Sequence, residues 1–204
     1  MLPHEIEEES FRIIRSELGA HHFSPAEEAI VVRMIHATGD FDFRDITRFH
    51  PRAVASGVEA LRRGCVIVTD VRMVEVGIAA EWLERLGGRV VCDIGHAEVR
   101  EQAKAMRTTR STLAMRRNAP NMAGGIVAIG NAPTALLEVI RLVREDGLRP
   151  ALVVGVPVGF VNAAESKEEL LSLDVPYITT VGRKGGSTVA VAAINALLRL
   201  AVTE

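Results

Sequence analysis

His36 lies in the run Arg33-Met34-Ile35-His36-Ala37-Thr38-Gly39-Asp40, late in a stretch that reads as a helix. Arg33 stands three residues earlier and shares its face. Histidine is the side chain that most readily gives and takes a proton near neutral pH. A guanidinium beside it disfavours a second positive charge, so a protonated His36 would be a ready proton donor. The same pattern also fits a histidine packed at a helix end with its ring bonded to a carbonyl. His4, His21, His22, His50 and His96 fall in polar or terminal contexts and read as surface residues.

A second set is cationic. Arg33, Arg110, Arg116, Arg117, Lys167, Arg183 and Lys184 occupy loop or helix-start positions. Cations beside glycine turns suit a ligand with several carboxylates or phosphates. Taken singly, each fits solvated surface charge as well. The third feature is Gly124–Leu137, GGIVAIGNAPTALL. It reads as a buried strand, a tight turn and a helix with Asn131 as N-cap and Pro133 in the first turn. The amides from Asn131 to Thr134 would then form either a site for an anionic oxygen or a plain capped turn.

Other chemistries find no support. No His/Cys/Asp/Glu group has zinc or iron spacing, and there is no GxSxG or cysteine-based catalytic pattern, so no metal and no cofactor is expected. A net charge of −2 and an aromatic content of 4% argue against nucleic acid. Cys65 and Cys92 sit in apolar runs and read as reduced core thiols, which with the acidic MLPHEIEEES start suggests a cytoplasmic protein without a signal peptide. The uncharged stretch 118–137 is broken by prolines and glycines, so no membrane span is expected there.

Three helices should open the chain: Glu5 to Leu18; a second running from the Ser24-Pro25-Ala26-Glu27 capping box to about Thr38; and Pro51 to Arg63. Then five short apolar runs alternate with helical segments: 65–69, 89–92, 126–129, 151–154 and 177–181. That alternation implies one α/β domain over 1–204, a helical N-terminal extension (1–64) packed on a doubly wound core (65–204) of five parallel strands in three layers. Ligands in such folds sit outside the carboxyl ends of the strands. The polar and glycine-rich ends Thr69-Asp70, Asp93, Gly130-Asn131, Pro157-Val158-Gly159 and Gly182 to Gly186 fall there. A flavodoxin-like strand order would set Asp70 beside Asn131.

Seven stretches together resemble the precorrin-8X methylmutase family. They are IEEESFRII (6–14), RMIHATGD (33–40), TDVRMVEVG (69–77), Thr109-Arg110-Ser111, GGIVAIGNAPTALL (124–137), GVPVGFVNAAESKEEL (155–170) and GRKGGSTVAVAAINAL (182–197). They cover nearly the whole chain in order. The resemblance implies a flavodoxin-like fold, a homodimer with the site near the subunit interface, and an isomerase of cobalamin biosynthesis. Its reaction moves a methyl group from ring carbon 11 to ring carbon 12 of the tetrapyrrole precorrin-8X, or of its cobalt form, giving hydrogenobyrinate or cobyrinate. The family's catalytic histidine matches His36; its substrate-contacting serine and arginines match Ser10, Arg33 and Arg110.

Such a shift needs a proton donor but neither nucleophile nor redox cofactor. His36 would donate and recover the proton. Arg33, Arg110, Lys167, Arg183 and Lys184, with Asn131 and Thr134, would hold the substrate's carboxylates. The apolar ring would rest on the surface from Gly155 to Phe160. Partners would be substrate, product, a second copy of the chain and neighbouring enzymes of corrin synthesis that hand the ligand over. Two other readings remain. A tetrapyrrole carrier would need the cations but not His36. A flavin or nucleotide module would need flanking aromatics, and the chain has one Trp and one Tyr.

Overall fold

The computed structural model describes residues 2–203. Helix α1 (Pro3–Leu18) precedes α2 (Pro25–Thr38). The capping box forms: Ser24 Oγ accepts from the Glu27 amide at 3.4 Å, and Glu27 Oε2 accepts from the Ser24 amide at 2.9 Å. Gly39, at φ 64°, ends α2 in the left-handed conformation that glycine adopts without a Cβ penalty.

Next come α3 (Phe43–Ile46), β1 (Thr47–Phe49) and α4 (Ala53–Arg62). Strand β1 corrects the expectation of a wholly helical extension. It pairs antiparallel with the last strand, Thr47 against Thr180 and Phe49 against Ile178. Residues 1–64 therefore contribute to the sheet as well as packing on it. The strand has only three residues, Thr-Arg-Phe, too few to carry a period-two pattern.

The remainder alternates. After β2 (Val66–Thr69) come α5 (Arg72–Gly77) and α6 (Ala80–Arg85). Then follow β3 (Arg89–Val91), α7 (Ala97–Ala105), α8 (Arg110–Arg117), α9 (Ala119–Met122), β4 (Ile126–Ile129) and α10 (Pro133–Glu145). The chain closes with β5 (Leu152–Gly155), α11 (Ala163–Leu171), β6 (Tyr177–Thr180) and α12 (Ser187–Thr203). The expected helix over 97–117 is broken at 106–109, where Arg107 takes a φ of 51° and Thr109 caps the next helix.

The result is a mixed six-stranded sheet in the order β1-β6-β5-β4-β2-β3, not the five strands expected. All its pairings except β1–β6 are parallel. Side chains alternate across it. Ile67, Ile126, Ala128, Val154 and Ile178 join one core with α2, α4 and α12. Val68, Val127, Ile129 and Val153 join a second with α8, α10 and α11. Helix α1 lies outside α2, contributing Ile14 and Leu18 to the first core.

Candidate active site

The carboxyl end of α2 brings His36 to the surface and leaves Arg33 partly buried. Both rest on Phe11 of α1. The imidazole meets the Phe11 ring edge-on at 5.1 Å, and the Arg33 guanidinium lies 5.0 Å from the same ring's centroid. Burial holds the Arg33 guanidinium below its ordinary value, while Glu7, 3.3 Å from its Nη2, pulls it back up. Ser10 sits one residue before Phe11 and donates to the Ile6 carbonyl at 2.7 Å, which leaves its oxygen as an acceptor.

His36 and Arg33 open onto a cleft of about 300 Å³ between α2, α5 and the start of α12. Met73, Gly77, Thr188 and Asn195 line its other walls. Gly77 is required there: a Cβ would come within 2.6 Å of Val191 on α12. Asn195 of α12 ties the wall together, accepting from the Ala79 amide at 2.9 Å and donating to the Gly77 carbonyl at 3.0 Å. A second hollow of about 340 Å³ shares Met73, Ser187 and Thr188 with the first and runs on to Val71, Asn131 and Val158. The two form one open trough along the carboxyl ends of β2, β4 and β5. Met73, Ser187, Thr188 and Asn195 had no singled-out role in the sequence, because nothing marks an ordinary helix residue as cleft-facing until the helices are packed.

Asp70 ends β2 beside the β4–α10 turn, as the sequence suggested for one strand order. Its carboxylate is fully buried and accepts from three amides: Gly130 at 3.1 Å, Asn131 at 2.8 Å and Ala132 at 2.7 Å. Burial pushes the Asp70 carboxyl up, and the three amides pull against that. This corrects two expectations. The turn's amides at Asn131 and Ala132 are already bonded to the protein's own anion. The N-cap of α10 is Ala132, with Asn131 one residue outside the helix and its side chain exposed to the trough. The Thr134 hydroxyl accepts from Thr109 Oγ1 at 3.2 Å, tying the start of α10 to that of α8. Arg110, the first residue of α8, is exposed and has no carboxylate partner among the described residues.

The loop 181–186 leads into Ser187 and Thr188, which line both hollows. Arg183 stacks 5.4 Å from the ring of Phe160, which is 84% exposed. Lys184 Nζ lies 2.5 Å from Asp40 and 2.6 Å from Asp42, and these hydrogen bonds raise its pKa. Lys167 departs most from the sequence reading. It is 1% exposed, and Nζ donates inward to the Lys184 carbonyl at 2.7 Å and Thr180 Oγ1 at 3.2 Å, so it faces the loop's interior and not a ligand. Arg116 and Arg117 also serve the fold: Arg116 pairs with Glu138 at 2.9 Å and Arg117 with Glu98 at 3.2 Å. Trp82 packs on the first core and Tyr177 against His50, both within the fold. Cys65 and Cys92 are unpaired, and burial pushes the Cys65 thiol up to about 11. Among the described residues no helix is long and apolar enough to cross a membrane.

Fold and trough define an α/β protein with an open trough at the carboxyl ends of parallel strands, where folds of this class carry their ligands. The family model for precorrin-8X methylmutase matches residues 5–200. The chain belongs to that family, whose members are isomerases that transfer a methyl group within one molecule. It is 51% identical over 199 residues to a cobalt-precorrin-8 methylmutase of Priestia megaterium, covering 98% of this chain and 88% of that one. It is 42% identical over 191 residues to a precorrin-8X methylmutase of Pseudomonas aeruginosa, covering 93% and 91%. A crystal structure of a precorrin-8X methylmutase from Thermus thermophilus superposes with a TM-score of 0.91 at 49% identity, covering 97% of this chain and 96% of that one.

Proposed function

We propose that the chain moves the methyl group of precorrin-8X, or of its cobalt form, from ring carbon 11 to ring carbon 12, as a step of cobalamin biosynthesis. The observation that carries the residue assignment is the position of His36, exposed in the trough with Arg33 on the same face. His36 gives a proton to the macrocycle. The methyl leaves one ring carbon with its bonding pair and bonds the neighbour, and the proton returns to His36. Substrate and product are isomers, so nothing else enters or leaves.

Arg33, Arg110 and Arg183 hold carboxylates of the substrate, with Ser10, Asn131, Thr134 and Lys184 supplying polar contacts along the trough. Lys184 does so from its pair with Asp40 and Asp42, so it shares its charge. Each half of the trough is near the lower end of ordinary ligand pockets, which run from roughly 300 to 1,000 Å³. A macrocycle would therefore lie across both halves and leave one face uncovered. Met73, 65% exposed, lines that trough, and Val76 at 72%, Phe160 at 84% and Val161 at 78% exposure lie close in sequence to Gly77 and Val158 of its lining, so we read the four as an apolar rim. This rim suits cover by a second copy of the chain in a homodimer. The order of the parallel strands supports a flavodoxin-like assignment of the core, and the chain's fold suits hand-over of product to the next corrin enzyme from an open site.

The test is anaerobic incubation with precorrin-8X, followed in the visible spectrum, for wild type and His36→Ala. Wild type should convert, and the variant should fall by roughly 10²- to 10⁴-fold while still binding. A folded His36→Ala with near-normal turnover would remove the acid assignment.

A further inference from the structure

Lys167 is a buried ammonium with no carboxylate to neutralise it among the described residues. Its hydrogen-bond partners are one hydroxyl, Thr180 Oγ1, and one carbonyl, that of Lys184. Burial alone lowers its pKa to about 8. A charged group kept dry without a counter-ion is costly, and a leucine or methionine would fill the space without that cost. The arrangement therefore calls for a role that an apolar side chain would not perform.

The loop it holds supplies that role. Thr180 Oγ1 also donates to the Lys184 carbonyl, at 2.8 Å, so two side chains converge on one backbone oxygen. From that fixed point the loop reaches both walls of the trough. On one side the Gly159 amide donates to the Arg183 carbonyl at 3.2 Å and the Gly186 amide to the Val156 carbonyl at 2.8 Å. Gly185 is pressed so close that a Cβ would lie 2.2 Å from the Val156 oxygen. On the other side Lys184 Nζ reaches Asp40 and Asp42, just beyond the helix that carries His36. The loop then enters α12 at Ser187 and Thr188, which line both hollows.

We propose that Lys167 is a positioning residue for the methyl transfer: through the Lys184 carbonyl it sets the loop 181–186, and with it Arg183, Lys184 and the start of α12 along the substrate trough. The proposal rests on the reading of that trough as the substrate site. Lys167 touches neither the substrate nor His36. Its loss should weaken substrate holding and leave the proton transfer largely alone.

Lys167→Met keeps an unbranched apolar stem one atom shorter and removes both hydrogen bonds. Its KM for precorrin-8X should rise about tenfold with kcat within about threefold of wild type. In the unliganded protein, hydrogen exchange should quicken at the amides of Gly159 and Gly186 and not in the sheet strands. Thr180→Val, which removes the second contact to the Lys184 carbonyl, should shift KM the same way by less, and Thr180→Ser should restore it. The Thr180 pair keeps the test decisive should Lys167→Met fail to fold. Wild-type KM and wild-type exchange in Lys167→Met, or equal KM in Thr180→Val and Thr180→Ser, would overturn the proposal. If wild type itself converts no precorrin-8X, the functional reading falls, and the exchange measurement still decides whether Lys167 holds the loop.

Discussion

Replacing Asp70 by Asn should unravel the β4–α10 turn, and the size of the effect can be worked from the bonds. One carboxylate oxygen accepts from Gly130, and the other from both Asn131 and Ala132. An amide has only one acceptor oxygen, so its best orientation keeps Asn131 and Ala132 and turns its NH2 against the Gly130 amide. That loses one bond to a charged acceptor, worth about 1.5–3 kcal/mol, and weakens the other two toward the neutral value of about 1 kcal/mol each. Burying a neutral group in place of a carboxylate returns part of this. The net loss should be about 2–3 kcal/mol. For a chain of this length each kcal/mol moves the melting temperature by about 2–4 °C, so Asp70→Asn should melt roughly 4–12 °C lower. Urea denaturation followed by circular dichroism gives the free energy directly. A loss under about 0.5 kcal/mol would show that the three amides do not depend on this carboxylate, and the account of the turn would be wrong.

Glu138, 5% exposed, is gripped by Arg116 and Arg141. Burial raises its pKa, but the two guanidiniums outweigh that and hold it below the ordinary carboxylate value. Wild type should exceed Glu138→Gln in stability by about 2 kcal/mol above pH 5, a margin that disappears as pH falls through the lowered value; urea melts of both across pH 3–7 would check it. Lys167 has the opposite sense. Its folded pKa of about 8 lies below the unfolded 10.5, so wild type should gain on Lys167→Met by roughly 2–3 kcal/mol as pH rises from 8 to 10.5, and a flat difference in melts over that range would contradict its buried state. Gly130→Ala would put a Cβ 2.6 Å from the Ser187 Cα, a backbone atom that cannot swing aside, so a loss of about 3 kcal/mol and a raised KM should follow in denaturation and turnover assays.

Much of the site was legible where local chemistry is self-sufficient. The Ser24 cap and the Gly39 stop are read from neighbouring residues and fix where His36 leaves its helix. The apolar runs at 65–69, 126–129 and 151–154 needed no tertiary context either, and β2, β4 and β5 fall on them to within a residue. What escaped was decided by partners far along the chain. Strand β1 exists because Thr47 to Phe49 meet β6, some 130 residues later. Lys167 reads as an exposed helix cation, yet α11 turns it inward onto Thr180 and Lys184. Asp70 and Asn131 could be set side by side only by assuming a strand order, and even then nothing local shows that the carboxylate, and not a ligand, would take the amides.

That last point bears on where a substrate's charge is met. Helices α10 and α12 start side by side, with Gly130 packed against Ser187. A helix start presents amides without intrahelical partners and the positive end of a helix dipole. At α10 the protein supplies its own anion, because Asp70 is close enough to bond three amides. At α12 the preceding residues are Gly185 and Gly186, and no carboxylate meets the first amides among the described residues. The seventeen-residue helix α12 opens beside the trough that Arg33 also lines, with Ser187 and Thr188 in its wall. The two neighbouring helix starts thus differ: the turn before α10 is closed by the chain's own carboxylate, whereas α12 follows two glycines and meets no carboxylate among the described residues.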